Sequence, residues 1–505
     1  MFSPLMTTAA PTTSSALSRR QLLRILGAGA ALSTAPRVWA QAAPAGGKPS
    51  QGRMVVVFLR GAYDGLSAFV PYADADYYKL RPTIAIAAPD GNASTAIKLD
   101  DTFALHPSMA VLMPLWQQGV LSFVPAAGMP APNRSHFDAQ YQMETGHSGK
   151  TSGASGWINT LAGMNTAPAA LGLNKTPSAL EVNKTPSALE VNKTPSALEV
   201  NKTPSALEVN KTPSALGVGE ANPAILAGNA KVKLIPQGQA AERVGVLANN
   251  NTRQALLDLY AGNDKLSTAF RQGAGSRMKS AQELSAEKNT IDSRRTMATR
   301  EQANMVNRKL DKDGTPSNSA AQNAQMQAAS NGAADPVGLQ LDAQHLGTLM
   351  RNDRSLSLGF LSAGGWDTHA NQGNATGQLA DRLGNLAKGI VQLRQEFSEP
   401  DDTIVVMSEF GRTSAENGTR GTDHGFGNAL WLLGNRIQGG QWHGKWTGLA
   451  RGNLNDNRDL PAHHDYRAVL AQVLRGTFGL SDSALATVLP GAQWDASLDS
   501  LLRKA

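Results

Sequence analysis

Behind Arg53, the run Met54-Val55-Val56-Val57-Phe58-Leu59 is apolar without interruption and rich in β-branched side chains. Such a run predicts a strand buried on both faces of a parallel sheet. Leu121–Val124, Leu356–Leu361, Thr403–Met407 and Ala429–Leu433 predict further strands, and Val232–Ile235 a weaker one. Between them the period changes. Over Gln378–Phe397, residues Leu379, Leu383, Leu386, Ile390 and Leu393 recur on one side of a helix. Leu339–Met350 and Asp465–Phe478 also read as helices. Residues 252–344 are rich in Ala, Gln, Asn, Ser, Lys and Arg, with helical spacing at Leu256, Leu257, Leu259, Tyr260 and Leu266. They predict a helical excursion, in which the low-complexity stretch Thr315–Ala334 reads as a loose loop. Strands alternating with helices predict an α/β fold: a mainly parallel sheet sandwiched by helices.

The first forty residues follow another pattern. Ser18-Arg19-Arg20-Gln21-Leu22-Leu23-Arg24 precedes an uncharged stretch from Ile25 to Pro36, then Val38-Trp39-Ala40. Paired arginines, a weakly apolar core and a small-x-Ala end resemble a twin-arginine export signal cleaved after Ala40. A basic amphipathic helix is the competing reading. Export would make the twin-arginine machinery a partner and the mature protein periplasmic or otherwise extracytoplasmic.

A second irregularity is a repeat. From Asn174, the nine residues Asn-Lys-Thr-Pro-Ser-Ala-Leu-Glu-Val occur four times, ending at Val209. A fifth copy, Asn210–Val218, carries Gly217 where the others carry Glu. Each unit contains proline and only two strong apolar residues, too few to nucleate a core. The span 174–218 therefore reads as a surface insertion, and residues 41–505 as a single domain around it. A nonapeptide solenoid or partner-binding array is the alternative.

Composition narrows the function. The 505-residue chain has no cysteine, which excludes a disulfide scaffold, an iron–sulfur site and a thiol nucleophile. Its charge is +7, but Arg19, Arg20, Arg24 and Arg37 lie in the leader, which holds no acid; without them +7 falls to +3. That is no footprint for nucleic acid. No apolar run reaches the ~20 residues needed to span a bilayer.

Candidate chemistry gathers where strands end, the place where open α/β sheets bind ligands. After the first strand comes Arg60-Gly61-Ala62-Tyr63-Asp64-Gly65, whose Asp64 is either a metal ligand or a turn cap. After the strand at 356–361 comes Gly364-Gly365-Trp366-Asp367-Thr368-His369, where Asp367 and His369 can converge on one metal. After Thr403–Met407 comes Ser408-Glu409-Phe410-Gly411-Arg412; Glu409 needs a metal or an ion pair with Arg412. Asp423-His424-Gly425 adds an oxygen and a nitrogen, and His443, His463 and His464 are spare candidates. In Asn133-Arg134-Ser135-His136, Ser135 falls at a helix start, as an N-cap or as a nucleophile at the positive helix end.

Taken in order, RGAYDGL, NRSHFDAQYQMETG, SAGGWDTHANQ, SEFGRTSAENGTRGTDHG and GNALWLLG, with the leader, resemble the exported family known as domain of unknown function 1501. That family is assigned to the alkaline phosphatase/sulfatase superfamily. The resemblance implies an alkaline-phosphatase-like fold and a divalent metal (Zn, Mn or Ca). It implies metal ligands among Asp64, Asp367, His369, Asp423 and His424, with His464 or His443 as a further histidine and Glu409 as a replacement ligand. Ser135, followed by Thr145-Gly146, matches the superfamily nucleophile, and Arg134 or Arg412 would stabilise the equatorial oxygens. Two departures stand out: Asp367 and His369 are closer than usual, and Asp423-His424-Gly425 does not directly follow its strand. The expectation is a metal-dependent hydrolase of the phosphatase or sulfatase type, acting on a small-molecule or polymer ester. The alternative is a non-catalytic periplasmic binding or assembly protein that keeps the fold.

Overall fold

A computed structural model describes residues 52–149, 151–165, 214–219, 223–294 and 318–503. The expected leader and its expected cleavage site, and the first four copies of the repeat, lie outside the described residues.

The centre is an eight-stranded mixed, mostly parallel sheet. In chain order its strands are β1 (Met54–Leu59), β2 (Leu121–Gly128), β3 (Ala215–Val218), β4 (Val232–Ile235), β5 (Leu358–Ala363), β6 (Thr403–Met407), β7 (Asn428–Gly434) and β8 (His464–Asp465). Across the sheet they run β8-β2-β7-β6-β1-β5-β3-β4. β1 pairs in parallel with both β5 and β6, and β3 in parallel with β4 and β5. β7 is antiparallel to β2 and β6.

The uninterrupted apolar run of β1 is explained by its position. Val55, Val57 and Leu59 face one core, and Met54, Val56 and Phe58 face the other. The first core is covered by α6 (Leu339–Asn352) and α7 (Gln378–Glu396), through Leu346, Leu349, Leu383 and Ile390. The second is covered by α1 (His136–Thr145), α2 (Trp157–Asn165) and α8 (Tyr466–Phe478), through Met143, Trp157 and Val469. This is the α/β sandwich that the hydrophobic pattern predicts, built by the two-faced alternation of a buried strand. A three-stranded sheet from residues 69–70, 97–98 and 104–105 stands apart.

Two expectations are corrected. The span 174–218 does not end outside the sheet: residues 215–218 of the fifth copy are β3, all buried. Gly217 suits this place, because a Cβ there would lie 2.4 Å from Leu226 Cδ1 and 2.8 Å from Leu234 Cδ2 and both leucine tips would have to move. The expected loop 315–334 contains the helix α5 (Ala320–Ala329), started by a capping box between Ser319 and Gln322. In its other described parts the excursion carries the helices α3 (Asn250–Leu259) and α4 (Lys265–Arg294). No helix among the described residues is long and apolar enough to cross a membrane.

Candidate metal centre

Three neighbouring parallel strands, β6, β1 and β5, send their carboxyl-end loops to one place. The loop after β5 turns at Gly365 (φ +83°) and carries Asp367 and His369. The loop after β6 carries Glu409, fully buried. That loop then runs out and folds back, so that Arg412 and His424 form an isolated antiparallel bridge. This return explains how an Asp-His-Gly remote from its strand still reaches the sheet end. Two glycines permit it: a Cβ on Gly421 would lie 2.4 Å from the His369 carbonyl, and one on Gly425 2.4 Å from that of Arg412. The fourth contributor is His136, the first residue of α1.

Three imidazoles meet here around one carboxylate. His424 Nε2 lies 2.9 Å from His136 Nε2 and 3.0 Å from His369 Nε2. Asp367 Oδ1 lies 2.9 Å from His369 Nε2, 3.1 Å from His424 Nε2 and 3.4 Å from His136 Nε2. The opposite nitrogens face oxygen acceptors. His136 Nδ1 is 2.8 Å from Glu409 Oε1, His369 Nδ1 is 2.9 Å from Asp423 Oδ1, and His424 Nδ1 is 3.0 Å from the Arg134 carbonyl. A proton on each Nδ1 satisfies those acceptors and leaves the three Nε2 atoms unprotonated beside Asp367 Oδ1. Metal-binding histidines are oriented in this way by carboxylates and carbonyls behind them. His136, Asp367 and His424 could hold a metal ion, with ligand atoms within 4.8 Å of one another. Asp367 Oδ2 is buried without a hydrogen-bond partner among the described residues, and a buried carboxylate oxygen in that state fits a cation.

The charges follow from the contacts. Burial alone would raise the carboxyl of Asp367, but the three histidines and Arg412 hold it far below the usual carboxylate range. Burial opposes a charged His136, yet Asp367 and Glu409 push it up to about 9. Burial lowers His424, against the pull of Asp367. Glu409 is held low despite burial, chiefly by His136.

The other sequence candidates take different places. Glu409 and Asp423 stand behind His136 and His369. Asp64 is bound twice by Arg81, at 2.6 and 3.0 Å, and also by Ser67 and Gln372. His464 lies between Asp495 and the Lys445 backbone N–H, each 2.7 Å away. His443 bonds Ser500 and the Gln438 carbonyl, and His463 bonds Thr447. Arg412 pairs with Asp367 at 2.6 Å instead of Glu409, and gives its other N–H groups to the carbonyls of Gly61, Ala62, Trp366 and Thr422. Arg134 is held by Asp459 at 2.5 Å. Ser135 is exposed at the N-cap of α1, and its side chain makes no capping bond. It stands between Arg134, whose carbonyl anchors His424, and His136. Sequence reading passed over His136; its signal was a histidine directly after the helix-start serine.

The fold and this cluster define a class: an α/β-sandwich protein with a histidine–carboxylate centre at the carboxyl ends of its parallel strands. Within that class, the chain belongs to the family described as protein of unknown function (DUF1501), which matches residues 51–489. No curated protein matches the chain.

Proposed function

We propose that the protein is an exported, metal-dependent hydrolase of the phosphatase or sulfatase type, built on an alkaline-phosphatase-like fold. The observation that carries this reading is the convergence of three Nε2 atoms and Asp367 Oδ1, each ring anchored from behind. In this reading His136, His369, His424 and Asp367 hold one divalent ion, and Glu409 and Asp423 orient His136 and His369. A set of three nitrogens and one carboxylate suits Zn or Mn better than Ca, which prefers oxygen. The ion would supply Lewis-acid chemistry and an acidified nucleophile. Ser135, exposed, uncapped and next to His136, would be that nucleophile, and the N-terminus of α1 favours an anionic ester group beside it. Asp64 and His464, whose polar atoms are already bonded, fall outside the ligand set.

The test is metal analysis of the mature protein with a screen of aryl phosphates and sulfates. Ser135→Ala is expected to keep the metal and lose turnover. A protein without metal, or turnover unchanged in both Ser135→Ala and His424→Ala, rejects the proposal. Export is tested separately: replacing Arg19 and Arg20 by lysine should leave the protein in the cytoplasm.

A second reading, a non-catalytic binding or assembly protein, is favoured by the arginines. Arg412 gives its N–H groups to Asp367 and to four carbonyls and has none left for an equatorial oxygen, and the Nη2 of Arg134 is held by Asp459. Stoichiometric metal with no turnover on any ester would select this reading.

A further inference from the structure

A cavity of about 240 Å³ lies at the carboxyl ends of β1, β3 and β5. Arg60, Gly219 and Ser362 mark those strand ends, and Phe137, Gln140, Tyr141 and Glu144 of α1 form a facing wall. The cluster's His136 begins the same helix, so Gln140 is about 6 Å further along its axis. None of the four residues around the centre lines the cavity. Gln140 joins the two places: its Nε2 donates to Glu409 Oε1 at 3.0 Å, and its Oε1 accepts from Arg60 at 2.7 Å.

The lining selects the chemistry of an occupant. Among the described residues its two charged groups are paired with each other, since Arg60 and Glu144 meet at 2.5 Å and both are buried. An ion entering would lose water and find no unpaired counter-charge among the described residues. Phe137, 58% exposed, and Tyr141 add aromatic surface. Ser362 and Gln237 add a hydroxyl and an amide whose side chains have no hydrogen-bond partner among the described residues. A cavity of about 150 Å³ holds benzene, so this one has room for a single substituted ring.

We propose that this cavity binds a neutral six-membered ring bearing hydroxyl or amide groups. Only the further step, that this ring belongs to the substrate whose ester group is worked on at the centre, rests on the hydrolase reading. A sugar and an amide-bearing arene share the required chemistry.

The experiment uses the full mature chain, stripped of metal, with ligand-observed NMR titration of three probes: methyl β-glucoside, benzamide and benzoate. At least one neutral probe should bind saturably at millimolar concentration, and benzoate at least tenfold more weakly than benzamide. Methyl glucoside assigns a sugar and benzamide an arene. Filling the cavity with Ser362→Leu, or with Ala333→Leu should the first fail to fold, should weaken the bound probe at least tenfold. Absence of saturable binding by both neutral probes, benzoate equal to benzamide, or undiminished binding in a folded filled variant overturns the proposal. The probes carry no ester and the protein no metal, so failure here is independent of failure in the ester screen.

Discussion

His136 Nδ1 lies 2.8 Å from Glu409 Oε1, which joins the first residue of α1 to the loop after β6. Glu409 also accepts from Gly61 N, Gln140 Nε2 and Ser408 Oγ. Its position is therefore fixed by four donors, and it fixes the imidazole in turn. Removing such an outer carboxylate costs about 10–100-fold in metal affinity. Glu409→Gln should weaken zinc binding by that factor in calorimetric titration, with the fold intact. An unchanged dissociation constant would mean that Glu409 does not orient a ligand.

Asp64 gives the opposite expectation. Its carboxylate is buried against the buried Arg81, and the two hold the first-strand turn to residues 413 and 414, whose carbonyls Arg81 also binds. Asp64→Ala leaves a buried guanidinium without its charge partner, a change that costs about 3–5 kcal/mol. Urea denaturation should show a loss of that order, while the metal content of the folded fraction stays the same. Loss of the metal at full stability would return Asp64 to the ligand set.

These two carboxylates show where sequence reading reached and where it stopped. Both stand just past the end of a strand, and residue pattern alone offers each of them a metal. Only the three-dimensional partner, a histidine for Glu409 and an arginine for Asp64, separates their roles. The strands β1, β5, β6 and β7 were legible because burial on both faces leaves long apolar runs. Asp367 and His369 were legible because they follow such a run in a loop opened by Gly364-Gly365, and His424 because it stands between an aspartate and a glycine. His136 was not, since Ser135 explained the helix start without it. β3 was hidden inside a repeat, and Gly217, glutamate in the other copies, was its one visible mark. The helix α5 was hidden by its composition, although Ser319 and Gln322 spell a capping box.

Metal binding should release a proton. His136 is held protonated up to about 9 by Asp367 and Glu409, against the opposing effect of burial. At pH 7 to 8 an entering cation must therefore displace that proton from Nε2. Apparent affinity should rise about tenfold per pH unit until about pH 9. Calorimetry at pH 7.5 in buffers of different ionisation enthalpy should count about one proton released per ion. Affinity independent of pH between 7 and 9 would contradict this.

Asp342, on α6, carries a stability penalty that pH can switch. Burial pushes its carboxyl up to about 6, although the Gly238 N–H donates to it at 2.6 Å. The folded state holds this proton more tightly than the unfolded chain, so stability should fall as pH rises from about 4 to about 6 and level off above. Asp342→Asn keeps the acceptor oxygen and removes the charge. At pH 7.5 the variant should be about 1–2 kcal/mol more stable than the parent, with no gain at pH 4. Urea midpoints at the two pH values decide it; equal midpoints at pH 7.5 would refute it.

Gly217 should decide which copy of the repeat enters the sheet. Glu181, Glu190, Glu199 and Glu208 occupy its place in the other copies. Glutamate at 217 would press a Cβ against Leu226, itself buried, and bring a charge into the sheet. Overpacking and an unpaired buried charge together cost about 2–4 kcal/mol. Gly217→Glu makes all five copies equivalent and should lower stability by about that much in urea denaturation. A second change then tests the cause. With Glu208→Gly added, Ala206-Leu207-Gly-Val209 can take the strand position and pass nine residues into the connection toward β4. Lengthening a loop this much costs less than about 1 kcal/mol, so the double variant should recover most of the loss. A double variant no more stable than Gly217→Glu would show that the glycine matters only for its own neighbours.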